Sequence, residues 1–205
     1  PRAFSLANPP SETNLLELHV KRVPGGAGTG FIHGQLKIGN PVPLSGPFGR
    51  FFVRKSVDLP MIFVAGGSGL SSPKSMVLDL LESGCTQDIT LFHGVRSMSE
   101  LYDQNQFQRL AATHDNFSYV PALSEPDDGP WDGETGFVSD VAARHFPDGF
   151  KGYKAYLCGP PPMIEATIRV LMKGRLFEKD IYTEKFVTQA DGEAALARSP
   201  LFRRI

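Results

Sequence analysis

Cysteine is scarce in this sequence, with only Cys85 and Cys158 among 205 residues. Two thiols are too few for a disulfide-stabilised scaffold, and too few for an iron–sulfur cluster held by four cysteines of this chain. The simplest interpretation is a pair of reduced thiols in a cytoplasmic protein.

Long hydrophobic runs and an excess of charge of one sign are also missing. No apolar stretch is long enough to span a bilayer, so we expect no membrane partner. The formal net charge is -1, which provides no basic surface for nucleic acid or anionic lipid. With 41% hydrophobic and 21% charged residues, the composition is typical of a globular protein.

The most informative stretch is MIFVAGGSGLSSPKSM, residues 61–76. Its apolar start predicts a buried strand over 61–65, followed by a glycine turn and a helix. We expect Ser71 or Ser72 to cap that helix and Pro73 to occupy its first position. The glycines, which would let phosphates approach the backbone beside the helix N-terminus, are Gly66, Gly67 and Gly69. An ordinary strand-to-helix turn explains the same pattern.

Strand and helix patterns alternate along the rest of the chain. This alternation predicts a five-stranded parallel sheet with helices on both faces. The predicted strands are 61–65, 88–94, 117–123, 154–158 and 180–186. The predicted helices are 73–82, 99–112, 138–145 and 162–174. The acidic, turn-rich segment 124–133 is expected to be an exposed loop.

The first 56 residues have a different pattern, with short alternating segments separated by proline and glycine turns. We predict strands at 2–7, 15–23, 42–45 and 51–53, and a short helix over 30–36 capped by Thr29. The glycine-rich turn before that helix is a second possible anion site. The expected division is a small β part at 1–56, an α/β part at 57–186 and a tail at 187–205.

Five local motifs occur in one order along the chain: RAFS at 2–5, GGAGT at 25–29, GGSG at 66–69, CGPPPM at 158–163 and EKF at 184–186. Together, at these spacings, they resemble the ferredoxin–NADP reductase superfamily. Within it, the chain is similar to the reductase components of bacterial phenol hydroxylases and toluene monooxygenases. The closing ADG…ARSPLFRRI favours the phenol hydroxylase branch. The resemblance covers nearly all of the chain.

The resemblance implies that the first part binds FAD. Arg2 would pair with an FAD phosphate, Phe4 would stack beside the isoalloxazine, and Ser5 would place its hydroxyl near flavin N5. Phe4 replaces the usual tyrosine, and threonine replaces a frequent serine in the pyrophosphate loop. Arg2 and Lys21 also fit simple solvated side chains. The further positions that match the family's flavin strand and pyrophosphate loop are His19, Val20, Lys21, Gly26, Ala27, Gly28 and Thr29.

The second part would bind the nicotinamide cofactor, with NADH preferred over NADPH. The matching loop positions are Gly66, Gly67, Ser68, Gly69, Ser71, Gly94, Val95, Arg96, Cys158, Gly159 and Pro160. Arg96 fits either a receptor for a 2′-phosphate or a solvated loop arginine. Cys158 would position the nicotinamide ring, although a buried strand-end cysteine is the alternative. Phe186 would cover the flavin with Glu184 beside it, or else belong to the core. Ser5, Cys158, Glu184 and Phe186 are thus the predicted catalytic residues, and no metal site is expected.

The activity implied by the family is hydride transfer from NADH to FAD. Single electrons would then pass to a [2Fe–2S] centre and on to the diiron hydroxylase component of a multicomponent aromatic monooxygenase. The cysteine run of a [2Fe–2S] domain is absent from this sequence, and in these reductases that domain precedes the flavin domain.

The family's flavin domain is a six-stranded antiparallel barrel with RAFS-type motifs on about its fourth strand. We therefore expect a partial flavin-binding barrel, a missing upstream segment and weak FAD retention by this chain alone. Two other functions remain open: a flavin reductase module that serves a haem dioxygenase or a cytochrome, and a non-catalytic flavin- or nucleotide-binding module.

Overall fold

The computed structural model describes residues 2–55, 58–188, 191–192 and 197–202. Its centre is a sheet of six strands in the order β4-β3-β2-β1-β5-β6, and all five neighbouring pairs are parallel. The strands are β1 (Met61–Gly66), β2 (Ile89–Val95), β3 (Phe117–Leu123), β4 (Glu134–Thr135), β5 (Lys154–Gly159) and β6 (Ile181–Lys185). The five predicted strands are all present, and the sequence pattern missed the two-residue edge strand β4.

Five α-helices accompany this sheet in the described residues: α1 (Ala27–Gly34), α2 (Ser71–Glu82), α3 (Gln104–Thr113), α4 (Val138–His145) and α5 (Pro161–Lys173). Residues of β1 alternate between two hydrophobic clusters because successive side chains of a strand point to opposite faces. Ile62 belongs to the cluster that includes α4 and α5, and Phe63 belongs to the cluster that includes α2 and α3. All six residues of β1 are buried, so the predicted parallel sheet covered by helices on both faces is confirmed.

The strands predicted in the first part of the chain are wrong as regular strands. Within residues 2–55, the only pairing is an isolated antiparallel bridge between Leu6 and Leu18, where Ala7 N donates to Glu17 O at 2.9 Å. Alternating side chains specify two faces, but a strand also needs a neighbour that satisfies its backbone groups. Segments 42–45 and 51–53 have no such neighbour among the described residues.

Two predicted helix starts are also wrong. Helix α1 begins at Ala27, with Gly26 as N-cap, and Thr29 lies inside its first turn. The Thr29 hydroxyl accepts a hydrogen bond from Val23 N at 3.1 Å and so fixes the preceding turn instead of capping the helix. Helix α2 begins at Ser71, because a 3₁₀ turn over Gly67–Leu70 leads into it and leaves Leu70 already helical. Neither Ser71 nor Ser72 is therefore the N-cap, and Pro73 is the third residue of the helix.

The predicted helix over 99–112 is shorter in the structure. A 3₁₀ turn, Met98–Glu100, precedes an extended Leu101 and a left-handed Asp103, with a φ of 55°, and α3 starts only after them. The predicted boundary at 56–57 and residues 189–190, 193–196 and 203–205 of the tail lie outside the described part. In that described part, no helix is both long enough and apolar enough to cross a bilayer.

His93 of β2 is a titratable side chain inside the core, with no exposed surface. Its Nδ1 lies 3.2 Å from the Tyr119 hydroxyl. Its Nε2 makes no hydrogen bond of normal geometry in the described residues, although the Gly67 carbonyl is close enough to favour protonation of the ring. Burial disfavours the imidazolium and lowers the pKa of His93 to about 4.

His93 should make the protein less stable in acid. The unfolded chain takes up a proton on this residue near pH 6.5 and the folded chain only near pH 4, so the unfolded state binds more protons between these values. As the pH falls across this window, the free energy of unfolding should decrease because of His93, by at most about 1 kcal/mol for each pH unit. Urea unfolding of His93→Phe should therefore show a shallower pH dependence than urea unfolding of the wild type. An unchanged slope in His93→Phe would contradict this.

Candidate active site at the carboxyl ends of the strands

The end of β1 and the turn after it lie in close contact with the end of β5 and the start of α5. A Cβ on Gly69 would lie 2.7 Å from Gly159 Cα, and a Cβ on Gly66 would lie 2.5 Å from Met163 Sδ. Gly159 itself has a φ of 146°, a conformation that favours glycine. Gly67 differs because it has a φ of 53° and open space at its Cβ position. Of the three glycines predicted to admit phosphates, Gly67 is therefore the one beside open space.

The carboxylate of Glu184 lies where these segments meet β6. Its Oε2 accepts hydrogen bonds from Ser5 Oγ at 2.9 Å and from Ser72 Oγ at 2.8 Å. The thiol of Cys158 lies 3.7 Å from the same oxygen. Three of the four predicted catalytic residues, Ser5, Cys158 and Glu184, are thus in one cluster. The sequence analysis did not predict Ser72 as a site residue, although the two serines after the glycine turn place a hydroxyl group at this position.

The thiol of Cys158 is buried, with no exposed surface. Burial, followed by the nearby charge of Glu184, raises the pKa of this thiol well above its usual value. Cys158 is consequently a protonated hydrogen-bond donor and a poor nucleophile.

Phe186 lies two residues beyond Glu184. Its backbone N donates to Gly159 O at 2.8 Å, which fixes the end of β6 against the end of β5. The side chains of Phe186 and Phe4 are both half-buried. Neither is part of the two hydrophobic clusters of the core.

Arg2 lies against the glycine loop that opens α1. Its Cγ is 3.0 Å from the position that a Cβ on Gly28 would occupy. The N-cap Gly26 provides no side chain to bind the first N–H groups of α1. A guanidinium beside uncapped N–H groups fits a pyrophosphate. The predicted partners Gly26, Ala27, Gly28 and Thr29 are all at this helix start.

A cleft of about 300 Å³ lies between the first part of the chain and the turn after β1. It brings the predicted His19, Val20 and Lys21 together with Gly67 and Ser68, and the sequence pattern missed its two other lining residues, Glu100 and Tyr102. The open Gly67 at the wall of this cleft fits the approach of a dinucleotide.

Glu100 links two cations that were predicted to bind cofactors, Lys21 of the flavin strand and Arg96 of the nicotinamide-binding part. Its Oε1 lies 3.0 Å from Lys21 Nζ and 3.9 Å from Arg96 Nε, and its Oε2 accepts from Arg96 N at 3.4 Å. Burial raises the pKa of Glu100, but the bonds from Lys21 and Arg96 outweigh it and the pKa is lowered overall. Glu100 is therefore an anion at neutral pH.

Three further predicted cofactor-binding residues, Gly94, Pro160 and Ser71, have packing, capping or hydrogen-bonding roles within the protein. A Cβ on Gly94 would lie 2.7 Å from Val138 Cβ, so its missing side chain makes room for α4. Pro160 is the N-cap of α5. Ser71 donates its hydroxyl to Ser68 O at 3.1 Å and so holds the turn that lines the cleft.

Comparison with known proteins agrees with a site of this kind, one for a flavin and a nicotinamide dinucleotide. The oxidoreductase NAD-binding domain family matches residues 63–169, and the oxidoreductase FAD-binding domain family matches residues 1–53. The chain therefore belongs to the ferredoxin–NADP reductase family of FAD- and NAD-binding oxidoreductases.

Two curated relatives match the whole chain. It is 62% identical over 205 residues to phenol 2-monooxygenase, reductase component DmpP, of Pseudomonas sp. (strain CF600). It is 53% identical over 205 residues to the phenol hydroxylase P5 protein of Acinetobacter pittii (strain PHEA-2). The chain spans 58% of the length of each relative.

Solved structures show the same fold. The crystal structure of the Amycolatopsis cytochrome P450 reductase GcoB superposes with a TM-score of 0.83 at 35% identity, over 89% of this chain and 55% of that one. The ferredoxin reductase in carbazole 1,9a-dioxygenase gives a TM-score of 0.78 at 27% identity, over 91% of this chain and 55% of that one.

The two cysteines should differ in reactivity. In the folded protein, iodoacetamide should modify half-buried Cys85 and spare Cys158, because alkylation needs an accessible thiolate. Mass spectrometry of Cys85→Ser should then show no label when folded and one label after unfolding. Labelling of folded Cys85→Ser at the rate of the unfolded chain would refute a buried, protonated Cys158.

Proposed function

We propose that this chain is the flavin- and nicotinamide-binding part of an electron-transfer reductase. It positions NADH against FAD for hydride transfer, and electrons then pass singly to a [2Fe–2S] centre that feeds a multicomponent aromatic monooxygenase of the phenol hydroxylase type. The observation that carries the proposal is the Glu184 cluster. It joins Ser5 of the segment matched to FAD-binding domains with Ser72 and Cys158 of the segment matched to NAD-binding domains.

The names of the two relatives that match the whole chain support the choice of acceptor system, since both belong to phenol-oxidising systems. We infer a diiron hydroxylase component as the partner and the cytoplasm as the location. Two solved structures of lower identity support the common fold alone: the FAD/NAD-binding domain of a Vibrio cholerae nitric oxide dioxygenase, at 18%, and the cytochrome b5 reductase domain of an Ulva prolifera nitrate reductase, at 23%.

We propose that residues 1–56 belong to the FAD-binding domain, residues 57–186 form the NAD-binding domain and residues 187–205 form a tail. Arg2 and the first turn of α1 would hold the FAD pyrophosphate, with Phe4, His19 and Val20 along the flavin. The turn at Gly67 and Ser68 would hold NADH. These assignments are supported by the contact of Arg2 with Gly28 and by the cleft at Gly67.

When bound, FAD supplies a hydride acceptor from which electrons leave one at a time. The protein's own contribution is orientation. The Ser5 and Ser72 hydroxyls keep their protons on Oγ and donate them in hydrogen bonds to Glu184 Oε2, which fixes the orientation of both hydroxyls. Cys158 keeps its proton at Sγ, beside Glu184 Oε2, and would position the nicotinamide ring from the end of β5, while Phe186 would exclude water.

The proposed preference for NADH is supported by Glu100. A 2′-phosphate near Lys21 and Arg96 would meet the carboxylate that already links these two cations. Like charges repel, so NADPH would have to break existing ion pairs to bind. NADH carries no such phosphate.

The proposal is tested by anaerobic reduction of FAD, supplied in excess with the chain, and followed by loss of flavin absorbance. NADH should reduce FAD faster with the chain than without it, and faster than NADPH does. Glu184→Gln should slow the reaction by roughly one to three orders of magnitude, the effect of misplaced reactants. Glu134→Gln, which removes a carboxylate bonded to Arg144 at the edge of the sheet, is the matched control. A rate equal to that of free FAD would reject the proposal.

A further inference from the structure

Lys74 is a buried cation close to the cleft. It is the fourth residue of α2, and its side chain is only 5% exposed. Its Nζ lies 2.7 Å from Glu17 Oε1 and 2.7 Å from Asp103 Oδ2. One ammonium group thus joins three parts of the chain: the first segment, α2 and the residue before α3.

The position of Lys74 is unfavourable without these two partners. The first turn of a helix carries the positive end of its dipole, which repels a cation. Glu17, His19 and Asp103 also place ligand atoms within 4.8 Å of one another, a spacing that would suit a metal ion. The Lys74 ammonium contacts both carboxylates of that group, so the protein already supplies the cation.

The same carboxylates surround His19. Its Nε2 lies 3.2 Å from Glu17 Oε1 and 3.6 Å from Asp103 Oδ2. Its Nδ1 lies 3.0 Å from the Tyr102 hydroxyl, which is also 3.1 Å from Gly67 O. His19, Tyr102 and Gly67 all line the cleft. Lys74 is therefore connected to the cleft by one chain of hydrogen bonds.

The protonation state of His19 sets the direction of these hydrogen bonds. Tyr102 has one hydroxyl proton, which it can donate either to His19 Nδ1 or to Gly67 O. If His19 is neutral with its proton on Nε2 toward Glu17, Nδ1 accepts the Tyr102 proton. If His19 is charged, both nitrogens carry protons, Nδ1 donates to the Tyr102 oxygen, and the hydroxyl proton turns to Gly67 O. The charge of His19 thus decides whether Tyr102 donates to Gly67 O and takes one of the two lone pairs of that carbonyl oxygen.

We propose that Lys74 is a positioning residue for the nicotinamide dinucleotide. It neutralises Glu17 and Asp103, so that His19 stays uncharged and Tyr102 donates to His19. The Gly67 carbonyl then keeps the lone pair that Tyr102 would otherwise use, as an acceptor for a hydroxyl or amide group of the dinucleotide. This inference rests on the proposed function in one respect, namely that the cleft binds NADH.

The electrostatics of the cluster agree with this arrangement. Burial, the largest effect, and the charge of Lys74 lower the pKa of His19, although Glu17 and Asp103 oppose them. Burial also raises the pKa of Tyr102, which keeps its proton. The titratable groups that face His19 or Tyr102 are Glu17, Lys74, His93, Asp103, Tyr119 and Cys158.

The first test removes the charge with Lys74→Met and keeps it with Lys74→Arg. NMR titration of the imidazoles should show a higher pKa for His19 in Lys74→Met, because two carboxylates then act on it without a cation. Lys74→Arg should retain the wild-type value. The matched control is Lys55→Met, which removes an exposed lysine paired with Asp79 and should leave His19 unchanged. A wild-type pKa of His19 in folded Lys74→Met would overturn the proposal.

The second test measures the dissociation constant of NAD⁺ by calorimetry as a function of pH. At pH 7, Lys74→Met should bind about tenfold more weakly, the loss expected for one hydrogen bond, and affinity should recover at higher pH. A merely structural loss would not recover with pH, so weak binding at every pH would overturn the proposal.

Tyr102→Phe provides an independent variant in case Lys74→Met does not fold. With no hydroxyl to donate to Gly67 O, its NAD⁺ affinity should no longer fall in acid as the wild type's does when His19 becomes charged. A wild-type acid fall in Tyr102→Phe would overturn the proposal. If the wild-type chain does not bind NAD⁺ at all, the proposed function fails instead, and the His19 titration still decides the link to Lys74.

Discussion

The close contact between the end of β1, with the turn after it, and the end of β5 is the constraint on which the candidate site depends. Gly66, Gly69 and Gly159 approach one another so closely that a Cβ on Gly69 would meet the backbone of Gly159 at 2.7 Å. This approach places Ser72, at the start of α2, beside Cys158, at the end of β5. Both side chains can then reach the same carboxylate oxygen, Oε2 of Glu184.

Two polar side chains, half-buried Glu184 on β6 and buried Lys74 on α2, connect the first part of the chain to the rest of the protein. Glu184 accepts a hydrogen bond from Ser5, and Lys74 pairs with Glu17. Removal of one member of a buried pair leaves an uncompensated charge, at a cost of about 3–5 kcal/mol in the fully buried limit. Glu17 is 36% exposed, so solvent reduces this cost for the Lys74 pair. The two links hold the predicted flavin residues and the predicted nicotinamide residues against one cleft.

The sequence predicted the parallel sheet because strand and helix patterns alternate along the chain, and β3 and α4 have the predicted bounds. The sequence analysis missed β4, because a strand of two residues has no recognisable pattern. It also predicted strands in residues 2–55, where the side chains alternate but only Leu6 and Leu18 pair with a neighbouring segment. Motif resemblance found Ser5, Cys158 and Glu184. Local patterns did not find Ser72, Lys74, Glu100 and Tyr102, because their roles come from contacts with residues remote in sequence.

The most direct test of this account is the dissociation constant of NAD⁺ for Gly69→Ala. The added methyl group would force the two segments apart, so the Ser72, Cys158 and Glu184 cluster and the turn at Gly67 would lose their positions. Gly30→Ala is the control, because nothing lies within 4 Å of its Cβ position. The account predicts binding weaker by at least about tenfold in Gly69→Ala, the loss of one or more hydrogen bonds, and wild-type binding in Gly30→Ala. Wild-type affinity in a folded Gly69→Ala would contradict it.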